Sequence, residues 1–255
     1  MREMTDESVV YGVNPVSELL RAKRRRIKRI YLLSGSRNPA IKRIYNVARE
    51  SGTDIKFTER DMLGNIAKSS EHQGVVALCE PVRIFSYREF LENQVEFERI
   101  LIINNVQDPH NLGAVLRSAY LFSFRGIILT RKNTVSVTPA VVKASAGAVE
   151  YVSIAVEDNL PQVIIELRRA NYKIVSLDIS GDVSIKSLEV RPPLVVIVGG
   201  EDTGIGKKLL TLSDYVVKIP VSDESFSLNL SVSAAIIMQH LFDGKLTISS
   251  DDRGI

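Results

Sequence analysis

Short apolar runs alternate with helical patterns along most of this 255-residue chain. The runs RILIINNV, GIILT and LVVIV have the length of buried strands. Between such runs, apolar residues recur three and four positions apart, which is the spacing of an amphipathic helix. Strands that alternate with helices form βαβ crossovers and a mostly parallel sheet. The sequence therefore predicts an α/β fold.

The alternation occurs in two series, and each is long enough to form a domain. We predict a small α/β domain at residues 8–80, a linker with a short helix at 81–97, and a parallel-sheet domain at 98–255. Three of the predicted helices are SELLRAKRR in the first domain and AVLRSAYLF and PAVVKASAGAVEY in the second.

The composition is that of a soluble protein with a real core, since 45% of the residues are hydrophobic and 25% are charged. Cys79 is the single cysteine, so no internal disulfide is possible, and the polar N-terminus does not read as a signal peptide. Both features favour a cytoplasmic protein. Three histidines without a cysteine cluster argue against a structural zinc site, and we expect no metal. The apolar runs are too short to span a bilayer.

The net charge is only +3, but basic residues are concentrated in one segment. Seven of them occur within nine positions: Arg21, Lys23, Arg24, Arg25, Arg26, Lys28 and Arg29. Such a run is often only a solvated face. It also attracts a polyanion through the release of counterions, which makes RNA or DNA the natural partner. A membrane surface is disfavoured because no amphipathic anchor accompanies the run.

Polar loops follow three strands of the second series, where parallel α/β sheets bind their ligands. In the first loop, QDPHNLGAVLRS, we place Asn111 and Gly113 at a helix start, with unpaired backbone N–H groups that face a ligand. Arg117 then lies in the first two turns of that helix. The alternative is structural: an Asn cap, a Gly for close packing and a surface Arg.

The second loop, VIVGGEDTGIGKKL, leaves a buried strand through Gly199 and Gly200, followed by Glu201. It is neither a Walker A loop nor a dinucleotide fingerprint. The third loop, KIPVSDESFSLNLSVSAAI, carries Ser227 and Asn229 before an apolar helix. A strand-to-helix turn and helix caps are the structural alternatives for these two loops.

Taken in order, NLGAVLR, GGEDTG and IPV…SLNLSVSAAI resemble the three motifs of the SpoU/TrmH family, which are RNA ribose 2′-O-methyltransferases of the SPOUT class. YGVNPVSELL and SSEHQGVVAL resemble the N-terminal substrate-binding domain of that family, which has a ribosomal-protein-like RNA-binding fold. The pairing of the two domains is similar to that of the bacterial 23S rRNA guanosine 2′-O-methyltransferases.

The resemblance implies a catalytic domain with a deep trefoil knot that holds S-adenosylmethionine, and a homodimer with its active site at the subunit interface. Matched by motif, the catalytic residues are Asn111, Arg117, Glu201, Ser227 and Asn229. The cofactor contacts are Gly200, Ile219 and Leu228. The basic run Arg21–Arg29 is then expected to hold the RNA.

Two questions stay open from the sequence. Arg117 is either the base that activates the ribose hydroxyl or a cation that stabilises the developing alkoxide. In addition, Asp223 stands where the third motif usually has glycine. A tRNA or resistance-type rRNA 2′-O-methyltransferase is one alternative to the 23S rRNA enzyme, and a non-catalytic RNA-binding protein is another. A nicotinamide-dependent oxidoreductase is disfavoured because no glycine-rich fingerprint follows the first strand.

Overall fold

A computed structural model describes residues 7–200, 204–223 and 225–242. The chain forms two compact units. The first contains the described residues up to Arg83, together with Asp108–Arg117 and Val135–Tyr151. The second contains Ile84–Gln107, Ser118–Thr134 and the described residues from Val152 onward. The first unit thus takes up two segments that lie beyond residue 98 in the sequence.

Four strands form the sheet of the first unit. They are β1 (Ser8–Tyr11), β2 (Ile27–Leu33), β3 (Ile55–Thr58) and β4 (Val75–Cys79). Their order in the sheet is β1-β4-β2-β3, and β2 and β3 are parallel while the other pairs are antiparallel. Cys79 is buried at the end of β4, and this burial raises the pKa of its thiol to about 11.

The helices of this unit begin and end at residues with a clear local role. They are α1 (Val13–Ala22), α2 (Pro39–Glu50), α3 (Arg60–Ala67) and, later in the chain, α6 (Pro139–Ala144). In α2, Pro39 occupies the first turn and the Asn38 side chain accepts a hydrogen bond from the Ala40 N–H. The predicted helix SELLRAKRR is wrong at both ends, because α1 starts at Val13 and stops at Ala22, where Lys23 turns left-handed.

The second unit is built on an eight-stranded sheet. Its strands are β5 (Ile84–Phe85), β6 (Arg99–Asn104), β7 (Gly126–Thr130), β8 (Ser153–Glu157), β9 (Lys173–Leu177), β10 (Val183–Ser184), β11 (Leu194–Gly199) and β12 (Tyr215–Lys218). Their order is β10-β12-β9-β11-β6-β7-β8-β5, and every pairing among them is parallel. Since β6 and β11 lie inside the sheet, their side chains are almost all buried.

Four further helices lie in the second unit: α4 (Tyr87–Glu92), α7 (Leu160–Arg169), α8 (Lys207–Leu210) and α9 (Leu230–His240). A fifth, α5 (Pro109–Leu121), has residues in both units. The predicted helix PAVVKASAGAVEY is interrupted, since α6 ends at Ala144 and a 3-10 helix follows at Ala148–Tyr151. Ala146 and Gly147 have positive φ between the two, which no continuous α-helix allows.

The segment predicted as a linker contains the expected short helix, α4, but it is also part of a folded core. β5 pairs with β8, and Tyr87, Phe90 and Phe97 are buried in a hydrophobic cluster of the second unit. Phe90 and Phe97 have ring centroids 4.5 Å apart. The domain boundaries at 80 and 98 stay a prediction.

The predicted α/β class with a parallel sheet is confirmed. The trefoil knot stays a prediction. Among the residues that the structure describes, no helix is long and apolar enough to cross a membrane.

Candidate functional site

The loops after β6 and β11 leave the sheet side by side. The two strands run parallel and in register from Arg99 opposite Leu194 to Asn104 opposite Gly199. The next strand along the chain, β7, lies on one side of β6, whereas β11 and then β9 lie on the other side of β6. The crevice at such a reversal of strand order is where parallel α/β sheets bind ligands.

Two glycines at the end of β11 are required by close backbone contacts. A Cβ on Gly200 would lie 2.0 Å from the Asn105 carbonyl oxygen, and one on Gly199 would lie 2.2 Å from the Gly204 carbonyl carbon. The Gly200 N–H donates to the Asn104 carbonyl at 2.7 Å. The ends of β6 and β11 are therefore joined through their main chains.

Two polar side chains that the sequence did not single out help to hold this edge. The Asn104 amide donates to the carbonyls of Gly204 and Ile205, each at 3.2 Å. The Thr130 hydroxyl accepts from the N–H of Asn105, whose φ is +60°. Asn104 and Thr130 are the last residues of β6 and β7, and this position at the end of a strand could have identified them from the sequence.

We expect Gly200→Ala to destabilise the second unit. Its Cβ has no free space against the Asn105 carbonyl, so the strand ends must shift, at a cost of about 1–3 kcal/mol. Thermal unfolding should show a clearly lower midpoint. Lys132→Ala, an exposed change in the same unit, should leave the midpoint almost unchanged. Equal midpoints for both variants and the wild type would contradict the close approach.

Helix α5 begins earlier than the sequence predicted, at Pro109. The Asp108 carboxylate accepts from the His110 N–H at 2.9 Å, so Asp108 and not Asn111 caps the helix. Gly113 consequently lies beyond the first turn, and its N–H is not one of the unpaired groups of a helix start. Gly113 serves packing instead, because a Cβ there would lie 2.4 Å from that of Ala144.

Arg117 is exposed on α5, so its guanidinium is accessible from solvent. The earlier helix start places it in the third turn rather than in the first two, about 9 Å along the axis from Asn111. Both residues belong to the first unit. The assigned role of Arg117 stays a prediction.

The other predicted residues lie in the second unit, on the loops after β11 and β12. Ile219 is half-buried, whereas Ser227 and Leu228 are exposed. The Asn229 side chain caps α9 and accepts from the N–H of Ser231 at 2.9 Å and from its hydroxyl at 2.6 Å. Asn229 therefore acts as a helix cap, which was the structural alternative to a catalytic role. Glu201 lies outside the described residues.

At Asp223, where the third motif usually has glycine, the backbone does not adopt the positive φ that glycine allows. Its φ is not among the positive values in the described chain. Its carboxylate accepts from the Ser225 hydroxyl at 2.6 Å and from the Ser225 N–H at 2.9 Å. These bonds stabilise the charged carboxylate and lower its pKa. The third loop therefore turns at this point through an Asp–Ser contact.

A surface cavity of about 330 Å³ opens at the same edge of the second unit. Asn104 and Thr130 line it, together with the loop before α8 and the start of α7. None of Gly200, Ile219 and Leu228 lines this cavity. Because the cavity and the predicted cofactor contacts do not coincide, we do not assign the cofactor to it.

One member of the basic run is not available to a partner. Arg25 is only 7% exposed, and its guanidinium forms an ion pair with the buried carboxylate of Glu150. The Nε–Oε2 distance is 3.0 Å, and Nη1 donates to the Glu80 carbonyl at 3.1 Å. Arg25 is therefore a structural residue of the first unit, and the predicted RNA contact at this position is not supported.

The other six basic residues are exposed. Three form surface ion pairs: Arg21 with Glu18, Lys28 with Glu7, and Arg29 with Asp54. Within the described part of the chain, Lys23, Arg24 and Arg26 form no ion pair, so their charges face solvent. These three are the best candidates for contacts to a polyanion.

Comparison with known proteins places this architecture in one class. The model of the SpoU rRNA methylase family matches residues 98–239, and that of the RNA 2′-O ribose methyltransferase substrate-binding domain matches residues 9–85. The first match alone covers more than half of the chain. The protein belongs to the SpoU rRNA methylase family, and the enzyme class expected from the sequence is confirmed.

Individual relatives extend over nearly the whole chain. The 23S rRNA (guanosine-2′-O-)-methyltransferase RlmB of Shewanella oneidensis is 31% identical over 237 residues, which are 92% of this chain and 96% of that protein. The putative TrmH family tRNA/rRNA methyltransferase YacO of Bacillus subtilis is 28% identical over 239 residues, 91% of this chain and 94% of that one.

A solved structure supports the fold. The AdoMet-bound rRNA methyltransferase of Sinorhizobium meliloti superposes with a TM-score of 0.77 at 23% identity. The superposition covers 94% of this chain and 88% of that one.

Proposed function

We propose that this enzyme transfers a methyl group from S-adenosylmethionine to the ribose 2′-hydroxyl of a guanosine in 23S rRNA. The observation that carries the proposal is the similarity, over 92% of the chain, to a protein with that named activity. The match of an RNA 2′-O ribose methyltransferase substrate-binding domain ahead of the catalytic one supports RNA as the substrate. Since ribosomal RNA is the substrate, we place the enzyme in the cytoplasm.

The described residues of the loops after β11 and β12 are suited to this cofactor. Val221, Phe226 and Leu228 expose apolar side chains that a nucleoside can cover, and Phe226 is 77% exposed. Gly200, Ile219 and Leu228 would hold the cofactor mainly through backbone groups. When bound, S-adenosylmethionine supplies a methyl group that its sulfonium already makes electrophilic.

The protein must then hold the ribose hydroxyl in line and favour loss of its proton. We assign Arg117 to the charge that develops on the hydroxyl oxygen, because a guanidinium stays protonated in proteins and is a poor base. Its five donors also suit an adjacent phosphate. Asn111, Glu201, Ser227 and Asn229 are proposed to position the nucleotide and the loops.

A homodimer is part of the proposal. Val232 and Ile236 lie four residues apart on α9 and are both exposed, so they form an apolar strip on one helix face. A second copy of the chain that covers this strip would remove it from water. Val232→Asp should then convert a dimer to a monomer in sedimentation equilibrium.

The substrate is tested by incubating the protein with methyl-labelled S-adenosylmethionine and equal amounts of unmodified 23S rRNA, 16S rRNA or a tRNA pool. We expect label in 23S rRNA alone. Label in tRNA alone would replace the proposal with the tRNA activity, which the name of the relative YacO includes.

The exposed part of the basic run should supply affinity for RNA and much of its salt dependence. We expect the double variant Arg24→Gln/Arg26→Gln to bind RNA more weakly. The slope of log affinity against log salt should fall by about 0.7–0.9 for each lost phosphate contact. Fluorescence anisotropy with a labelled 23S rRNA fragment at several salt concentrations measures both quantities.

The matched control for this variant is Arg169→Gln/Lys173→Gln, which removes the same charge from exposed positions of the second unit. It should keep most of the affinity and the slope. If both double variants lower the slope equally, net charge and not the basic run determines binding.

A further inference from the structure

A polar pocket in the first unit has no part in the site described above. It has a volume of about 440 Å³ and lies between α3 and the loop that precedes β4. The side chains that line it are Arg60, Asp61, Asn65, Ser69, Ser70 and His72. This loop is part of SSEHQG, a motif for which neither the fold nor the proposed reaction gives a chemical purpose.

A backbone hydrogen bond selects one tautomer of the neutral His72 ring. His72 is only 1% exposed, and its Nδ1 accepts a hydrogen bond from the Gly74 N–H at 3.0 Å. Burial, followed by the positive charges of Arg60 and Lys143, lowers the pKa of His72. Because Nδ1 accepts, the neutral ring carries its proton on Nε2, a nitrogen that has no hydrogen-bond partner among the described residues. Because His72 lines the pocket, this N–H can donate to a ligand there.

Several local hydrogen bonds hold the loop that carries His72. The Ser69 N–H donates to the Gly64 carbonyl of α3 at 3.3 Å. Within the loop, the Ser69 hydroxyl accepts from the Glu71 N–H at 3.1 Å. Gln73 follows with a φ of +56°, and its side chain accepts from the Val13 N–H at 3.0 Å. The pocket is thus preformed, which lowers the entropic cost of binding.

The lining groups fit a nucleotide better than a bare anion. Arg60 makes no ion pair within the described part of the chain and offers donors to a phosphate. Asp61 is an acceptor, which a phosphate site would exclude, but which suits an amino or imino group of a base. The Asn65 amide and the His72 Nε2–H complete a set of both donors and acceptors. The volume is in the range of small-molecule sites.

We infer that this pocket binds one unpaired ribonucleotide of the RNA, with the phosphate at Arg60 and the base edge at Asp61, Asn65 and His72. Folded RNA is read mainly at unstacked nucleotides of this kind. The inference rests on the proposed function for its choice of RNA as the source of the nucleotide. It gives the first unit a base-reading site in addition to the exposed charges of the basic run.

The pocket is tested with the full chain labelled with ¹⁵N-histidine. Only His72, His110 and His240 give ring signals, and the variants His110→Gln and His240→Gln assign them. Each ribonucleoside 5′-monophosphate, and inorganic phosphate as a separate probe, is titrated to millimolar concentration. We expect at least one nucleotide to shift the His72 Nε2–H signal at concentrations where phosphate does not, and to leave His240 unchanged.

Two arginine variants test the assignment of the phosphate. Arg60→Gln should weaken nucleotide binding at least about tenfold, as is typical when a charged hydrogen bond is lost. Arg43→Gln, the same change at an exposed position on α2, should leave it within about twofold. Equal effects of the two variants, an equal response to phosphate, or no response of His72 to any nucleotide would overturn the inference.

These results are separable from those on the proposed function. If the protein methylates RNA but no nucleotide shifts the His72 Nε2–H signal, only the role assigned to the pocket is wrong. A protein whose His72 responds but that transfers no methyl group to any RNA lacks only the proposed activity.

Discussion

Arg117→Ala is expected to lower methyl transfer at least about 100-fold while leaving S-adenosylmethionine affinity nearly unchanged. The loss of one preorganised donor to a developing oxyanion typically has an effect of this size. The fold should be preserved, because Arg117 is exposed on α5 and alanine has the higher helix propensity. Single-turnover transfer to 23S rRNA and calorimetric cofactor binding measure the two quantities separately.

Two further variants test the catalytic role of Arg117. Arg117→Lys keeps the charge but loses the planar fork, so it should recover only part of the activity. Arg169→Ala removes an exposed arginine of the second unit and should retain full activity. Unaltered turnover in Arg117→Ala would remove Arg117 from the catalytic group altogether.

Glu150→Ala is expected to destabilise the protein by about 3–5 kcal/mol, because it leaves the buried Arg25 guanidinium without its counter-ion. Both side chains are almost fully buried, so solvent does not replace the lost partner. Chemical denaturation followed by circular dichroism measures the change, and the unfolding midpoint should fall strongly.

The comparison within the same unit is Asp54→Ala, which breaks the exposed Arg29–Asp54 pair. Its effect should be far smaller than that of Glu150→Ala, as for most surface ion pairs. The double variant Arg25→Met/Glu150→Leu should recover much of the loss, since no unpaired charge stays behind. Similar effects of Glu150→Ala and Asp54→Ala would show that burial does not govern the Arg25 pair.

The sequence predicted most of the regular elements because apolar periodicity governs them. β6, β7 and β11 contain continuous apolar runs in a parallel sheet, where both faces are covered. Three very short elements, β5, β10 and α8, were missed because they are too short to show a period. The start of α5 was missed because Asp108 and Pro109 suit a turn as well as a helix start.

Side-chain roles were harder to predict than elements. Nothing within the run Arg21–Arg29 distinguishes Arg25 from its neighbours, since its partner Glu150 is 125 positions away. The need for glycine at Gly200 could not be read from the sequence either, because it depends on the carbonyl of Asn105 in a neighbouring strand-end loop. The order of the three motifs indicated the family despite these gaps, since it depends on residue types and spacing alone.

The chemical position of the transferred methyl group tests the central claim most directly. 23S rRNA methylated by the enzyme is digested to nucleosides and to alkali-resistant dinucleotides, which mass spectrometry then identifies. The account predicts 2′-O-methylguanosine at a single alkali-resistant site. A base-methylated nucleoside, or intact cofactor binding without transfer to any RNA, would contradict it, and the second outcome would favour a non-catalytic RNA-binding protein.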